Sequence, residues 1–332
     1  MNVGLISKYR AQLMGIAVII ISIFHSSIVH TNDAVDYVCF IGDMGVDIFF
    51  FLSGLGMYYA LRKNPTLKEF YWKRIVRIVP VWFVVNLYVL LDSANFKLQN
   101  IKPLLFFKLI TGLSFWLDCT FYFWYIPAQL MFYFITPLFM KYYRESKRKA
   151  FVGFGIIWLV LVFLAVGTHN LGYCIFLFRW PVYFCGIWFG ELCSLNKQIN
   201  QKQCIIAFVA LIGGFLMELY LKNHMGQGIV RYEFKYIVYF ICVIPLCILV
   251  SLFLEKLKYK FLVCKFLGGI SLEVYLLHEF VLKKCNRKIT QVPFDKYGII
   301  YNLLVFAFVV ILSVVLHKMF TKIQSVKQVK ER

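Results

Sequence analysis

Long apolar runs alternate with short clusters of Lys, Arg, Asp and Glu along the whole chain. Ten of the runs are long enough to cross a bilayer as helices of about twenty residues. They span roughly 11–30, 41–61, 75–92, 121–140, 150–168, 171–194, 203–221, 235–254, 264–282 and 298–320. A further stretch, "KPLLFFKLITGLSFW" (102–116), is shorter and amphipathic, which fits an interfacial or re-entrant helix better than an eleventh span. The third run is short and Pro80 interrupts it, so its limits are the least defined. The pattern predicts an all-α fold, a polytopic bundle of about ten transmembrane helices embedded in the lipid bilayer.

Composition agrees with that pattern. Of 332 residues, 61% are hydrophobic, 19% aromatic and only 16% charged, and the mean hydropathy is +0.74. A soluble domain of this length needs far more polar surface. The formal net charge of +20 suggests nucleic acid as a partner, but the basic residues sit in short loops between runs and form no domain that could lie along a duplex. They are distributed instead as the positive-inside effect requires. With inside termini, the inner segments carry more than twice the Lys and Arg of the outer ones, led by "RKNPTLKEFYWKRIVR" and "KYYRESKRK". The last outer loop, "KKCNRKITQVPFDKYG", runs against the bias. Both termini are therefore expected in the cytoplasm, with the chain in the cell (plasma or inner) membrane.

Lys8 and Arg10 precede the first run as in a signal peptide, but that run is too long for an h-region and lacks a small-x-small cleavage site. It reads as an uncleaved span. With no repeat, low-complexity linker or soluble domain in view, residues 1–332 read as a single membrane-embedded domain. Ten cysteines form no CxxC and no zinc-spaced Cys/His cluster, so no metal is expected. Cys39, Cys119 and Cys285 fall in loops on one predicted side, where a disulfide would fit the topology although no motif supports one.

Ionisable residues at membrane depth carry more information, because burying them in lipid is costly. His25, in "IIISIFHSSIVH", lies about five residues from the outer end of the first run. Asp47, in "GDMGVDIFFFLSG", lies about as far below the outer end of the second. The two share a depth. A carboxylate on one ring nitrogen would fix the tautomer and raise the basicity of the other, as a general base requires; the alternative is a buried pair that only locks two helices. His278 in "GGISLEVYLLHEFV" lies near the outer end of the ninth run, and Arg179 in "FRWPVYFCGIWFGE" near mid-membrane. Arg179 either holds a substrate carboxylate or phosphate or pairs with a buried Asp or Glu. At the inner face, "YWKRIVRIVP" sets Arg74 and Arg77 on one side of a helix start, a geometry that can grip phosphate through two guanidinium forks or serve only as a topogenic charge.

The order of these motifs resembles the acyltransferase 3 family. A first-span His follows "LMGIAVIIISIFH", then come "GVDIFFFLSG", "WKRIVRIVP", "FWYIPAQLMFYFITPLF" and late in the chain "GGISLEVYLLH". The resemblance covers about residues 8–320. It implies an integral membrane acyltransferase, of a kind mostly bacterial, that acylates sugars of surface polysaccharide, lipopolysaccharide or peptidoglycan. It makes His25 the catalytic residue and implicates Arg74 and Arg77 in handling acyl-coenzyme A. Where an arginine normally stands eleven residues before the histidine, this chain has Met14, and Arg10 lies one turn earlier. Where many members carry two glutamates on the fourth span, this chain has Gln129 and Leu130.

The resulting expectation is an O-acetyltransferase that uses acetyl-coenzyme A as co-substrate. The donor's phosphates meet Arg74, Arg77 and Arg10, and its thioester points towards His25, about 22 Å along the helix from Arg10. His25, oriented by Asp47, deprotonates a hydroxyl of a surface glycan or lipid-linked sugar. Arg179, His278 and Trp124 are the candidate substrate contacts. The rival is a transporter, since polytopic helices, Arg179 and an intramembrane His/Asp pair also suit proton coupling; against it, the two halves show no internal symmetry.

Overall fold

The computed structural model describes the chain except residues 1, 27, 30–32, 98, 100, 119–122, 169, 226–228, 258–260, 286–291, 294–295 and 331–332. Its helices, in chain order, are α1 (Leu5–Lys8), α2 (Arg10–Phe24), α3 (Asp33–Phe40), α4 (Met44–Arg62), α5 (Leu67–Ser93), α6 (Pro103–Thr111), α7 (Leu113–Asp118) and α8 (Tyr125–Glu145). They continue with α9 (Lys147–Gly167), α10 (Leu171–Leu177), α11 (Trp180–Ser194), α12 (Gln201–His224), α13 (Ile229–Leu257), α14 (Leu262–Gly269), α15 (Ser271–Cys285) and α16 (Lys296–Lys330). Extended pairing among the described residues is limited to Ile28–Val29 against Val292–Pro293 and a single bridge between Asn2 and Gln198. The chain is an all-α polytopic bundle.

Seven helical stretches among the described residues are long and apolar enough to cross a membrane. The three remaining predicted runs fall on other kinds of element. One is the short α2, one is α8, which carries Lys141, Arg144 and Glu145 at its end, and one is the pair α14 and α15. The stretch at 102–116 folds as α6 and α7, too short to span, with a break at Gly112 (φ 75°) where a left-handed residue turns the chain. Polar side chains start several helices where the sequence offers them: Thr66 and Glu69 form a capping box before α5, and Asn200 and Gln203 do the same before α12.

Several boundaries differ from the sequence pattern, each for a local reason. Pro80 does not interrupt α5, which runs unbroken from Leu67 to Ser93; a proline is tolerated where neighbouring helices can compensate the lost backbone bond. The first run ends early. α2 stops at Phe24, and His25 is its C-cap, its backbone N–H still donating to the Ile21 carbonyl at 3.1 Å. The loop expected between the first two runs is helical instead from Asp33 to Phe40. α3 leads through a 3-10 turn into α4, and it is tethered by an ion pair between Asp36 and Lys222 and by Tyr37 Oη donating to the Phe215 carbonyl. The sixth run breaks at Phe178 and Arg179, because Pro181 in the first turn of α11 favours a fresh start there. Cys39 and Cys285 are free thiols, and Cys119 lies outside the described residues.

The ninth run is two helices of opposite direction. A Cβ added to Gly15 would overlap the Cys264 carbonyl, and one added to Gly268 would overlap that of Ala11, so α14 runs antiparallel to α2 in very close contact. Gly268 and Gly269 end α14, and the chain reverses at Ile270. α15 then runs parallel to α5, with Phe280 against Tyr88 (5.3 Å between rings) and Lys284 paired with Asp92.

Two stretches form the centre of the bundle. Of the apolar windows in Val35–Arg62 and Gly172–Ser194, 72% and 78% is buried, against 17% for Lys147–Gly167 and Tyr297–Lys322. α4 and α11 approach through small residues: a Cβ at Gly54 would overlap the Tyr183 carbonyl, and one at Gly186 that of Phe51. The outer helices expose large apolar side chains such as Phe163, Phe208, Leu304 and Ile311. In water that surface would be a liability; in lipid it is the ordinary outer face of a bundle.

Candidate active site

A cavity of about 300 Å³ opens among α2, α4, α5, α8 and α15. Arg10, Lys73, Arg74 and Arg77 line it with Met14, Ser53, Gln129, Tyr125, Tyr133 and Tyr275. The three arginines singled out in the sequence thus meet in one place, and so do Met14 and Gln129. Arg10 lies against Gly56, where a Cβ would come within 2.8 Å of the guanidinium, and its Nε donates to the Leu52 carbonyl at 3.1 Å. Glycine at 56 makes the room that Arg10 needs. Arg74 stacks over Phe70 at 3.7 Å, and its Nη1 donates to the Phe70 carbonyl at 2.5 Å. This holds the guanidinium at the cavity wall.

Uncharged polar groups line the deeper part. Tyr125 Oη donates to Gln129 Oε1 at 3.1 Å, and Ser53 Oγ to Tyr133 Oη at 3.3 Å. Gln129 is 1% exposed, and its Nε2 has no hydrogen-bond partner among the described residues. A buried amide donor beside a cavity is costly unless a ligand satisfies it.

From the cavity a continuous line of rings leads to His25. Tyr125 meets Tyr275 at 5.0 Å, Tyr275 meets His278 at 5.6 Å, and His278 meets His25 at 5.0 Å. His278 is 2% exposed, and its Nδ1 lies 2.7 Å from the Tyr275 carbonyl and 3.2 Å from that of Val274. Carbonyl oxygens only accept, so Nδ1 carries the proton, and in the neutral ring the lone pair resides on Nε2. The backbone of α15 fixes that tautomer.

The expected pair of His25 with Asp47 is not formed. Asp47 faces Arg179 instead, with Nε 3.5 Å from Oδ1 and both side chains 2% exposed. The physical reason is the break between α10 and α11. It places Arg179 at the head of α11, where Nη1 donates to the freed Ile175 carbonyl at 2.9 Å. The guanidinium lies over Trp124 at 4.6 Å and over Tyr236 at 4.1 Å. Of the two roles open to Arg179 in the sequence, pairing with a buried carboxylate is the one this geometry displays, and Trp124 is packed on the same arginine.

A second ion pair, between a buried lysine and a half-buried aspartate, lies close by and was missed in the sequence. Lys235 Nζ is 2.7 Å from Asp43 Oδ2, and Tyr239 Oη donates to Asp43 Oδ1 at 2.5 Å. Lys235 also lies 5.7 Å from the Phe24 ring, next to His25. The signal was available, since "FKYIVYFICVIP" sets a lone lysine at the mouth of an apolar run. His317, given no role from the sequence, meets Glu273 at 2.8 Å.

A family model described as "Acyltransferase domain" matches residues 13–318. The chain belongs to the acyltransferase 3 family. That membership makes the protein a membrane acyltransferase and decides against the transport reading. No curated protein and no solved structure gives a significant match. For this acyltransferase, a cationic cavity at one end of α2 and a histidine at the other are the two features that a reaction scheme must connect.

Proposed function

We propose that the protein is an O-acetyltransferase of the cell membrane, moving acetyl from acetyl-coenzyme A to a hydroxyl of a surface polysaccharide or its lipid-linked precursor. The cavity bordered by Arg10, Lys73, Arg74 and Arg77 carries this reading, because the ring line from Tyr125 to His25 leaves from its deep wall. Guanidinium groups suit phosphate through charge-assisted bonds. At about 300 Å³ the cavity is at the low end for small-molecule sites, a size that suits a slender pantetheine arm better than a nucleotide. The nucleotide phosphates then stay at the arginines, and the buried Gln129 amide is a donor for a carbonyl of the arm.

In this scheme His25 removes the acceptor hydroxyl proton as the oxygen attacks the thioester carbonyl. The C–S bond breaks, coenzyme A leaves as the thiolate, and the proton held by His25 returns to the sulfur. His278, locked by its backbone contacts, positions the His25 ring. Asp47 acts at one remove, as counter-ion to Arg179. Loss of both cavity forks tests the donor assignment. Arg74→Ala with Arg77→Ala should weaken acetyl-coenzyme A binding about 10²- to 10⁴-fold, since each charge-assisted contact contributes about 1.5–3 kcal/mol. Calorimetry on the purified, folded double variant reads this out, and unchanged affinity would return the arginines to a topogenic role.

The same reading sets the arginine end of the bundle towards the cytoplasm, with both termini there and ten spans in all. The excess of Lys and Arg in the inner segments supports that orientation. Reporter fusions at position 332 and within 283–297 should then give cytoplasmic and exterior signals respectively. Finding both on one side removes a span from the scheme.

A further inference from the structure

We propose that two adjoining cavities, separate from the arginine-lined one, bind an anionic glycerophospholipid of the surrounding leaflet. Two short connections build the site, one from α4 to α5 and one from α8 to α9. In the first, "RKNPTL" (62–67), Asn64 takes the left-handed conformation (φ 47°), which asparagine tolerates, and turns the chain. In the second, "RESK" (144–147), Ser146 Oγ accepts from the Lys149 N–H and starts α9. Arg62 and Lys147 end two of the membrane-length stretches, so their charges stand at the depth of lipid phosphates.

The first cavity, of about 340 Å³, is lined by Arg62, Asn64, Tyr143, Arg144, Lys147 and Glu191, with Tyr58 and Met140. Glu191 is engaged at both oxygens. Lys147 Nζ lies 2.8 Å from Oε1, and Tyr143 Oη donates to Oε2 at 2.6 Å. Arg62 and Arg144 make no ion pair among the described residues. Arg144 Nη2 donates to the Leu61 carbonyl at 2.5 Å, which holds its guanidinium at the wall. Two guanidinium groups without a counter-anion suit a phosphodiester.

The second cavity, of about 580 Å³, shares Asn64, Met140 and Arg144 with the first. Leu61, Pro65, Leu67 and Pro137 give it apolar walls, while Lys141 and Glu145 offset each other in charge. Leu67 is exposed, and acyl chains suit that surface better than water does. A phosphate at Arg144 therefore has room beside it for the glycerol and the first methylenes of its tails. Acetyl-coenzyme A is the less fitting occupant. Tyr58 and Arg62 lie on the opposite side of α4 from Gly56 and Ala60, which line the arginine-lined cavity. A free phosphate has no use for the apolar cavity.

Native mass spectrometry of the full chain in detergent, with dioleoylphosphatidylglycerol added, provides the test. Phosphatidylglycerol should stay bound under conditions that remove dioleoylphosphatidylcholine. Neither inorganic phosphate nor acetyl-coenzyme A in excess should displace it. Arg62→Glu should weaken phosphatidylglycerol binding at least about tenfold, and the added Arg144→Gln about a hundredfold in all. Arg62 is exposed and its side chain makes no hydrogen bond among the described residues, so the single variant keeps its thermal stability and decides the matter even where the double variant does not fold. Equal retention of phosphatidylcholine, displacement by inorganic phosphate or acetyl-coenzyme A, or unchanged phosphatidylglycerol affinity in Arg62→Glu would each overturn the assignment.

Discussion

Arg179→Met is expected to destabilise the folded bundle by about 3–5 kcal/mol, the usual cost of leaving one member of a buried ion pair without its partner. Asp47 is enclosed with Arg179, and its Oδ2 has no hydrogen bond among the described residues. Removing the guanidinium leaves a buried carboxylate with no other ion-pair partner among the described residues. The substitution also takes the cation from between Trp124 and Tyr236 and frees the Ile175 carbonyl. Adding Asp47→Asn to Arg179→Met should recover most of the loss, because the remaining groups are then neutral. Thermal unfolding of the detergent-solubilised single and double variants measures both effects. A substrate-binding Arg179 gives the opposite pattern, in which the single variant is as stable as the unsubstituted protein and only its KM for the acceptor rises.

The same arginine illustrates which parts of the molecule were legible in the sequence. Its depth in an apolar run made it a buried, functional-looking charge, and that much follows from the cost of solvation in lipid. Its partner did not follow, because matching depth assigned Asp47 to His25 and left the carboxylate that would meet Arg179 unspecified. The choice depended on a helix break at Pro181 that hydropathy does not register. The reversal at Ile270 was hidden for the same reason: 264–282 reads as one continuous apolar run, and only the fit of Gly15 and Gly268 against backbone carbonyls sets α14 antiparallel to α2. The arginine-lined cavity was easier to foresee. Arg10, Arg74 and Arg77 all lie close to the inner ends of their predicted spans, so parallel helices bring them to one level without any knowledge of rotation. Tyr125, Tyr275 and Gln129 join them through helix rotation, which the all-round apolar character of these segments conceals.

His25→Ala is expected to lower acetyl transfer by about 10²- to 10⁴-fold, the range over which a positioned general base contributes. His25→Gln should be equally inactive although it keeps much of the packing against Phe24 and His278, because an amide cannot take the hydroxyl proton. His278→Gln should behave differently. It keeps a donor for the Tyr275 and Val274 carbonyls but loses the ring that stands against His25, so kcat should fall while acetyl-coenzyme A affinity is unchanged. Asp47→Asn acts through the bundle rather than through His25, and any loss of activity it causes should track its loss of folded protein. Glycan acetylation at matched protein levels in the membrane, with donor affinity measured in parallel, separates these cases. Near-normal acetylation by His25→Gln would reduce His25 to a helix cap. A raised donor Kd in His278→Gln would place His278 in the donor cavity instead of beside the base.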